Sequence, residues 1–172
     1  MRFEIFEGFQ NIGTQSSLSR LQKLDLVFYH CESPLDLSGL TTLTKLKTHK
    51  SPVGRLPTSI VKCSCSLDSD LDMSSLTNLI SLDVSLNSNV RMTFPSGLRK
   101  LTISKGELGE SNIGDVALET FLTDSDVPIT RDQLEQFPKT LKTIGARLEP
   151  ESLRKHLGEL FPLYEDNDDS SC

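Results

Sequence analysis

The sequence predicts an α/β solenoid that is mostly β: short parallel strands stacked side by side, tight return segments and one C-terminal helix. Three observations predict it. Two leucine-containing segment types alternate along the 172 residues. Equivalent positions recur about every 20 residues. Each segment ends in an apolar/polar alternation, which is the pattern of a strand with one buried face.

The first segment type is "LSRLQKLDL" from Leu18, "LTTLTKLKT" from Leu40 and "LTNLISLDV" from Leu76. The second is "LPTSIVKCSC" from Leu56, "FPSGLRKLTI" from Phe94 and "FPKTLKTIGA" from Phe137. A further copy of the first type, "LETFLT" from Leu118, falls where it is due. The first inward residue of each strand serves as a marker: Leu24, Leu46, Cys63, Leu82, Leu101, Phe121 and Ile144. These markers lie 22, 17, 19, 19, 20 and 23 residues apart. One step before Leu24, Phe3 and Ile5 alternate with polar residues in "RFEIFE", so eight rungs are expected over residues 1–150. One such repeat cannot bury its own apolar face, whereas stacked repeats share a continuous core. The return segments are too short for full helices, so turns and extended or 3₁₀ pieces are expected there. Pro57, Pro95 and Pro138 begin the approach to alternate strands, where a missing N–H is tolerated.

These segments resemble leucine-rich repeats over about residues 1–150. "LTNLISLDVSLN", ending at Asn87, is closest to that family's Leu-x-x-Leu-x-Leu-x-x-Asn pattern. The set with Leu-Pro or Phe-Pro is similar to variants in protist proteins and some bacterial effectors. The resemblance implies a horseshoe with a parallel concave sheet and a short irregular or 3₁₀ convex side. It implies a non-catalytic protein–protein interaction module that acts as a scaffold. The alternative it permits is a regulatory subunit or inhibitor of an enzyme such as a phosphatase. The family asparagine is replaced in the other rungs by Tyr29, Ser51, Asp68, Gly106, Asp126 and Glu149. Ser51, Asp68 and Asp126 can bond the backbone locally. Tyr29 and Gly106 cannot do so in the same way, so less regular turns are expected there.

Cys63 and Cys65 pose a separate question, because a Cys-x-Cys pair can bind metal, form a redox couple or simply point inward. They occupy the positions held elsewhere by Leu24/Leu26, Leu82/Val84 and Leu101/Ile103. Residues two apart on a strand share a face. Both thiols are therefore expected in the core as small hydrophobes. Two ligands do not make a tetrahedral metal site. Thr48, Thr123 and Ala146 fill analogous inward slots.

The alternating outward residues define the candidate binding face. They include Lys23, Asp25, Lys45, Lys47, His49, Lys62, Asp83 and Lys100. Lysine dominates the first column, giving a local basic patch in a chain of formal net charge −6. Concave solenoid faces commonly bind partners, and clustered lysines speed encounter with acidic ones. A protein partner is expected on this face; the lysine column fits either an acidic partner or the plain role of keeping an open sheet soluble. Trp, Tyr and Arg, the usual interface anchors, are scarce on this face; Phe28 and Tyr29 are candidate anchors at its edge.

"ESLRKHLGELF" places Leu153, Leu157 and Leu160 on one helical stripe, and Pro162 stops it. Residues 151–163 are expected to cap the last repeat, as solenoids require. The acidic tail 164–172 is expected to be disordered. At the other end, an edge strand at Phe3–Ile5 invites edge-to-edge self-association, unless Arg2, Glu4 and Glu7 shield it.

Composition excludes several classes. The acidic balance argues against nucleic acid. No run approaches the 18 apolar residues of a membrane span, and "MRFEIFEGFQ" interrupts any signal-peptide core with glutamates. The four cysteines show no secreted-scaffold spacing, so a reducing, cytoplasmic setting is expected. No phosphate loop, nucleophile elbow or zinc-protease motif occurs. His30, His49 and His156 are scattered, so no catalytic residue, cofactor or metal is expected.

Overall fold

The computed structural model describes residues 2–5, 18–28, 35–67, 69–86, 89–106, 108–123 and 134–145. In chain order the strands are β1 (Arg2–Ile5), β2 (Lys23–Phe28), β3 (Leu35–Asp36), β4 (Lys45–Arg55), β5 (Lys62–Leu67) and β6 (Leu71–Asp72). They continue as β7 (Ser81–Leu86), β8 (Val90–Thr93), β9 (Lys100–Lys105), β10 (Leu108–Ser111), β11 (Thr120–Thr123) and β12 (Thr143–Gly145). The main sheet runs β1-β2-β4-β5-β7-β9-β11-β12, and β3 pairs with β4. A second sheet runs β10-β8-β6. All pairings among the described residues are parallel, so the chain is a mostly-β parallel solenoid with almost no helix there.

The repeat markers are direct neighbours in the sheet. Leu24 pairs with Leu46, Leu46 with Cys63, Cys63 with Leu82, Leu82 with Leu101, Leu101 with Phe121 and Phe121 with Ile144. The first strand differs from expectation. Phe3 pairs with Leu26, not Leu24, so β1 is displaced by two residues. A two-residue displacement keeps the faces aligned, because side chains alternate with period two.

Leu-x-x-Leu spacing produces the return turns. Leu40 N–H donates to the Leu37 carbonyl and Leu43 N–H to that of Leu40; Met73, Leu76 and Leu79 repeat the pattern. These i to i+3 bonds have 3₁₀ geometry, which brings every third side chain to one side. All six of these side chains are buried. Proline starts the alternate turns as expected: Pro57, Pro95 and Pro138 each accept from the N–H three residues on, at 3.1 Å. "LDLS" and "LDMS" open two equivalent turns. Asp36 accepts from the N–H and hydroxyl of Ser38, and Asp72 from the N–H of Ser74. These bonds hold both carboxyls below the usual carboxylate range.

Turns are also stitched to one another. At the entrances of β4, β5, β7, β9, β11 and β12 two successive N–H groups share one carbonyl of the preceding rung, as Thr44 and Lys45 do with Gln22, and Ile80 and Ser81 with Val61. Side chains add to this: Ser59 Oγ donates to the Leu43 carbonyl at 2.7 Å, and Asn78 Nδ2 to that of Thr58 at 3.0 Å. Among the positions expected to carry the family asparagine, Gly106 adopts φ +80°. A Cβ there would collide with the Leu86 carbonyl, so glycine is required on both counts.

The core is one continuous cluster between the main sheet and the returns, from Leu24 to Ile144. Each fully buried leucine or isoleucine contributes about 1.5–3 kcal/mol of burial. Thr48 is buried and Thr123 is half-buried, while Ala146 lies outside the described residues. The expected helix at 151–163, the tail 164–172 and Tyr29 also lie outside them, as does the side chain of Phe28.

Candidate functional site

The outward residues of β2, β4, β5 and β7 enclose a groove of about 330 Å³ on the solvent face of the main sheet. The parallel register builds it. Lys23 is the Cα partner of Lys45, and Lys45 of Lys62. Three lysines therefore stand side by side on adjacent strands about 4.8 Å apart. The next outward row runs Asp25, Lys47, Ser64, Asp83, again partner to partner. Ser81 completes the polar lining, and Leu24, Leu46 and Cys63 also line the groove.

Six of the eight sequence-predicted residues converge here: Lys23, Asp25, Lys45, Lys47, Lys62 and Asp83. Lys100 and His49 do not line the groove. Lys100 is separated from the lysine row by Ser81, its register neighbour on β7. His49 is exposed on β4 beyond Thr48, within the stretch between Lys47 and Pro52 where the register of β4 against β5 shifts.

Among the described residues, Lys45, Lys47 and Lys62 make no ion pair. The lining holds four lysines and two aspartates, a formal excess of two positive charges inside a chain of net charge −6. Like charges directly opposite on neighbouring strands are destabilising.

The two carboxylates are held differently. Asp83 accepts from Ser104 Oγ at 2.8 Å and from Ser64 Oγ at 3.4 Å. Asp25 Oδ1 is buried without a hydrogen-bond partner and lies 4.0 Å from His49 Nε2. By rung order alone, His49 stands among lysines and serines of the outward face. The structure instead brings Asp25 beside it, diagonally across the strand pair, because a side chain on β4 reaches past its direct partner Val27. The only sequence signal for this approach is the two-residue offset between Asp25 and Val27.

The Cys-x-Cys question resolves on geometry. Cys63 and Cys65 are both buried and unpaired as thiols. The Cys63 thiol is held well above its ordinary value, first by its hydrogen bond to Cys65, then by burial and the nearby charge of Asp83. A thiol held protonated is a poor nucleophile. No group of three or more His, Cys, Asp or Glu that could hold a metal is found among the described residues. Likewise, no helix among them is long and apolar enough to cross a membrane.

No family model matches the chain, and neither a curated protein nor a solved structure matches it.

Proposed function

We propose that the chain is a solenoid of the leucine-rich repeat type that binds a partner protein through the lysine-bearing face of its main sheet, without chemistry of its own. The observation that carries this is the register of Lys23, Lys45 and Lys62 above the groove. Lys45 and Lys62 are direct partners that make no ion pair among the described residues, so their like charges oppose folding. A face that retains such a cost is accounted for by an anionic partner that removes it on binding. Lysine clusters also steer encounter with an acidic surface. The seven register-matched markers and the Leu-x-x-Leu turns support the repeat assignment.

The test is affinity capture from native lysate, with the wild-type chain beside a Lys45→Glu, Lys47→Glu, Lys62→Glu variant shown by circular dichroism to be folded. A protein retained by wild type and lost by the variant supports docking on this face. Identical captures by both would reduce the lysine row to a solvated surface. A single stoichiometric enzyme among the lost proteins would make the chain that enzyme's regulatory subunit.

A further inference from the structure

We infer that the groove receives a phosphorylated side chain of the partner, a phosphoserine or phosphothreonine, and not a run of acidic residues. This rests on the docking function proposed above and specifies its ligand.

The positive charge is focal. Lys45 and Lys62 are direct partners, and Lys47 follows Lys45 on the same face of β4. Strand spacing is about 4.8 Å and the i to i+2 repeat about 6.6 Å. Both are shorter than a lysine stem can swing, so three ammonium groups reach one point above β4 and β5.

The charge is also bounded. Asp25 stands opposite Lys47 on the β2 side, and Asp83 lies beyond Ser64 on the β7 side. The row is therefore negative at both ends and positive in its middle. An acidic stretch laid along this second row sets carboxylates against one aspartate or the other, and such like-charge juxtaposition disfavours binding there. A compact anion over β4 and β5 avoids both. Ser104 Oγ keeps Asp83 in place at 2.8 Å.

The ligand must bring dense charge, because the groove offers little else. Its polar groups are lysines, aspartates and serines, set beside Leu24, Leu46 and Cys63, with no aromatic anchor. A phosphomonoester carries about −1.5 to −2 charges and three strong acceptor oxygens on one centre. Lysine serves phosphate as a point charge. Ser64 Oγ adds a hydroxyl donor: its bond to Asp83 is long, at 3.4 Å, and is readily exchanged for a phosphate oxygen.

The experiment is a titration of the ¹⁵N-labelled full chain at fixed low salt with four probes. They are acetyl-Gly-phosphoSer-Gly-amide, acetyl-Gly-Glu-Gly-amide, acetyl-Glu-Glu-Glu-amide and inorganic phosphate. The expected result is shifts centred on the amides of Lys45–Lys47 and Lys62–Ser64, with the phosphopeptide at least about tenfold tighter than either glutamate peptide. Lys62→Gln should weaken the phosphopeptide at least about fivefold, and Lys100→Gln should leave it unchanged. Asp83→Asn should selectively improve the triglutamate peptide by opening one border. Triglutamate binding as tightly as the phosphopeptide would overturn the phosphate specificity while leaving acidic docking intact. Inorganic phosphate binding as tightly as the phosphopeptide would make the ligand a free anion and overturn the partner side chain. Absence of shifts at the lysine row with every probe would overturn the inference, and the capture experiment would then decide the docking function separately.

Discussion

Replacing Lys45 by glutamine should stabilise the fold while weakening partner binding. Lys45 faces Lys23 on one side and Lys62 on the other, with Lys47 two residues along its own strand. With the ammonium groups splayed to about 7 Å, each repulsion in water amounts to about 0.6 kcal/mol. Asp25, diagonally placed on β2, offsets about one of the three. The balance is about 1 kcal/mol at low ionic strength, falling to about 0.5 kcal/mol at physiological salt. Lys100→Gln is the matched control. Its register neighbours are Ser81 and Thr120, so the same loss of charge relieves no lysine contact. Urea unfolding followed by far-UV circular dichroism suits a chain without tryptophan. At about 10 mM salt Lys45→Gln should unfold at higher urea than wild type, with the difference shrinking at about 200 mM. Destabilisation by Lys45→Gln, or an equal gain from Lys100→Gln, would refute the argument that register repulsion is stored at the groove.

Two further outcomes test the surrounding structure. Glu119 accepts from Lys142 and Arg99, and these partners, Lys142 first, hold its carboxyl below the usual range. The folded chain therefore binds fewer protons than the unfolded chain at acid pH, so this stabilisation is present above about pH 4.5 and lost as pH falls. Thermal midpoints between about pH 7 and pH 3 should fall less steeply in Glu119→Gln, and parallel curves would count against the network. For Cys63 the sign reverses: a raised thiol value means the unfolded chain ionises first, so stability declines as pH rises past the ordinary thiol range. At about pH 8, iodoacetamide should label Cys63 and Cys65 only on unfolding, as mapped by mass spectrometry, and rapid native labelling would contradict their burial.

What the sequence by itself determined is which residues share a face and which rungs adjoin. The two-residue alternation assigns Lys45, Lys47 and Lys62 to the side opposite Leu46 and Cys63, because a strand admits no other arrangement. The near-constant repeat makes Leu24, Leu46, Cys63, Leu82, Leu101, Phe121 and Ile144 neighbours, because each rung must bury its apolar face against the next. Burial of the Cys-x-Cys pair follows from the same two rules. Only the tertiary structure decided where that regularity breaks. Phe3 meets Leu26, and β4 extends to Arg55 through a register shift beyond Lys47. Loop lengths between rungs vary, and a repeat period cannot say how a longer loop is absorbed. The groove itself also needed three dimensions. The rung order alone already sets Ser81 between Lys62 and Lys100, but it does not show that the groove ends at β7. The approach of His49 to Asp25 and the clamp of Ser104 on Asp83 depend on side-chain direction across strands, which local sequence leaves open until neighbouring rungs are packed.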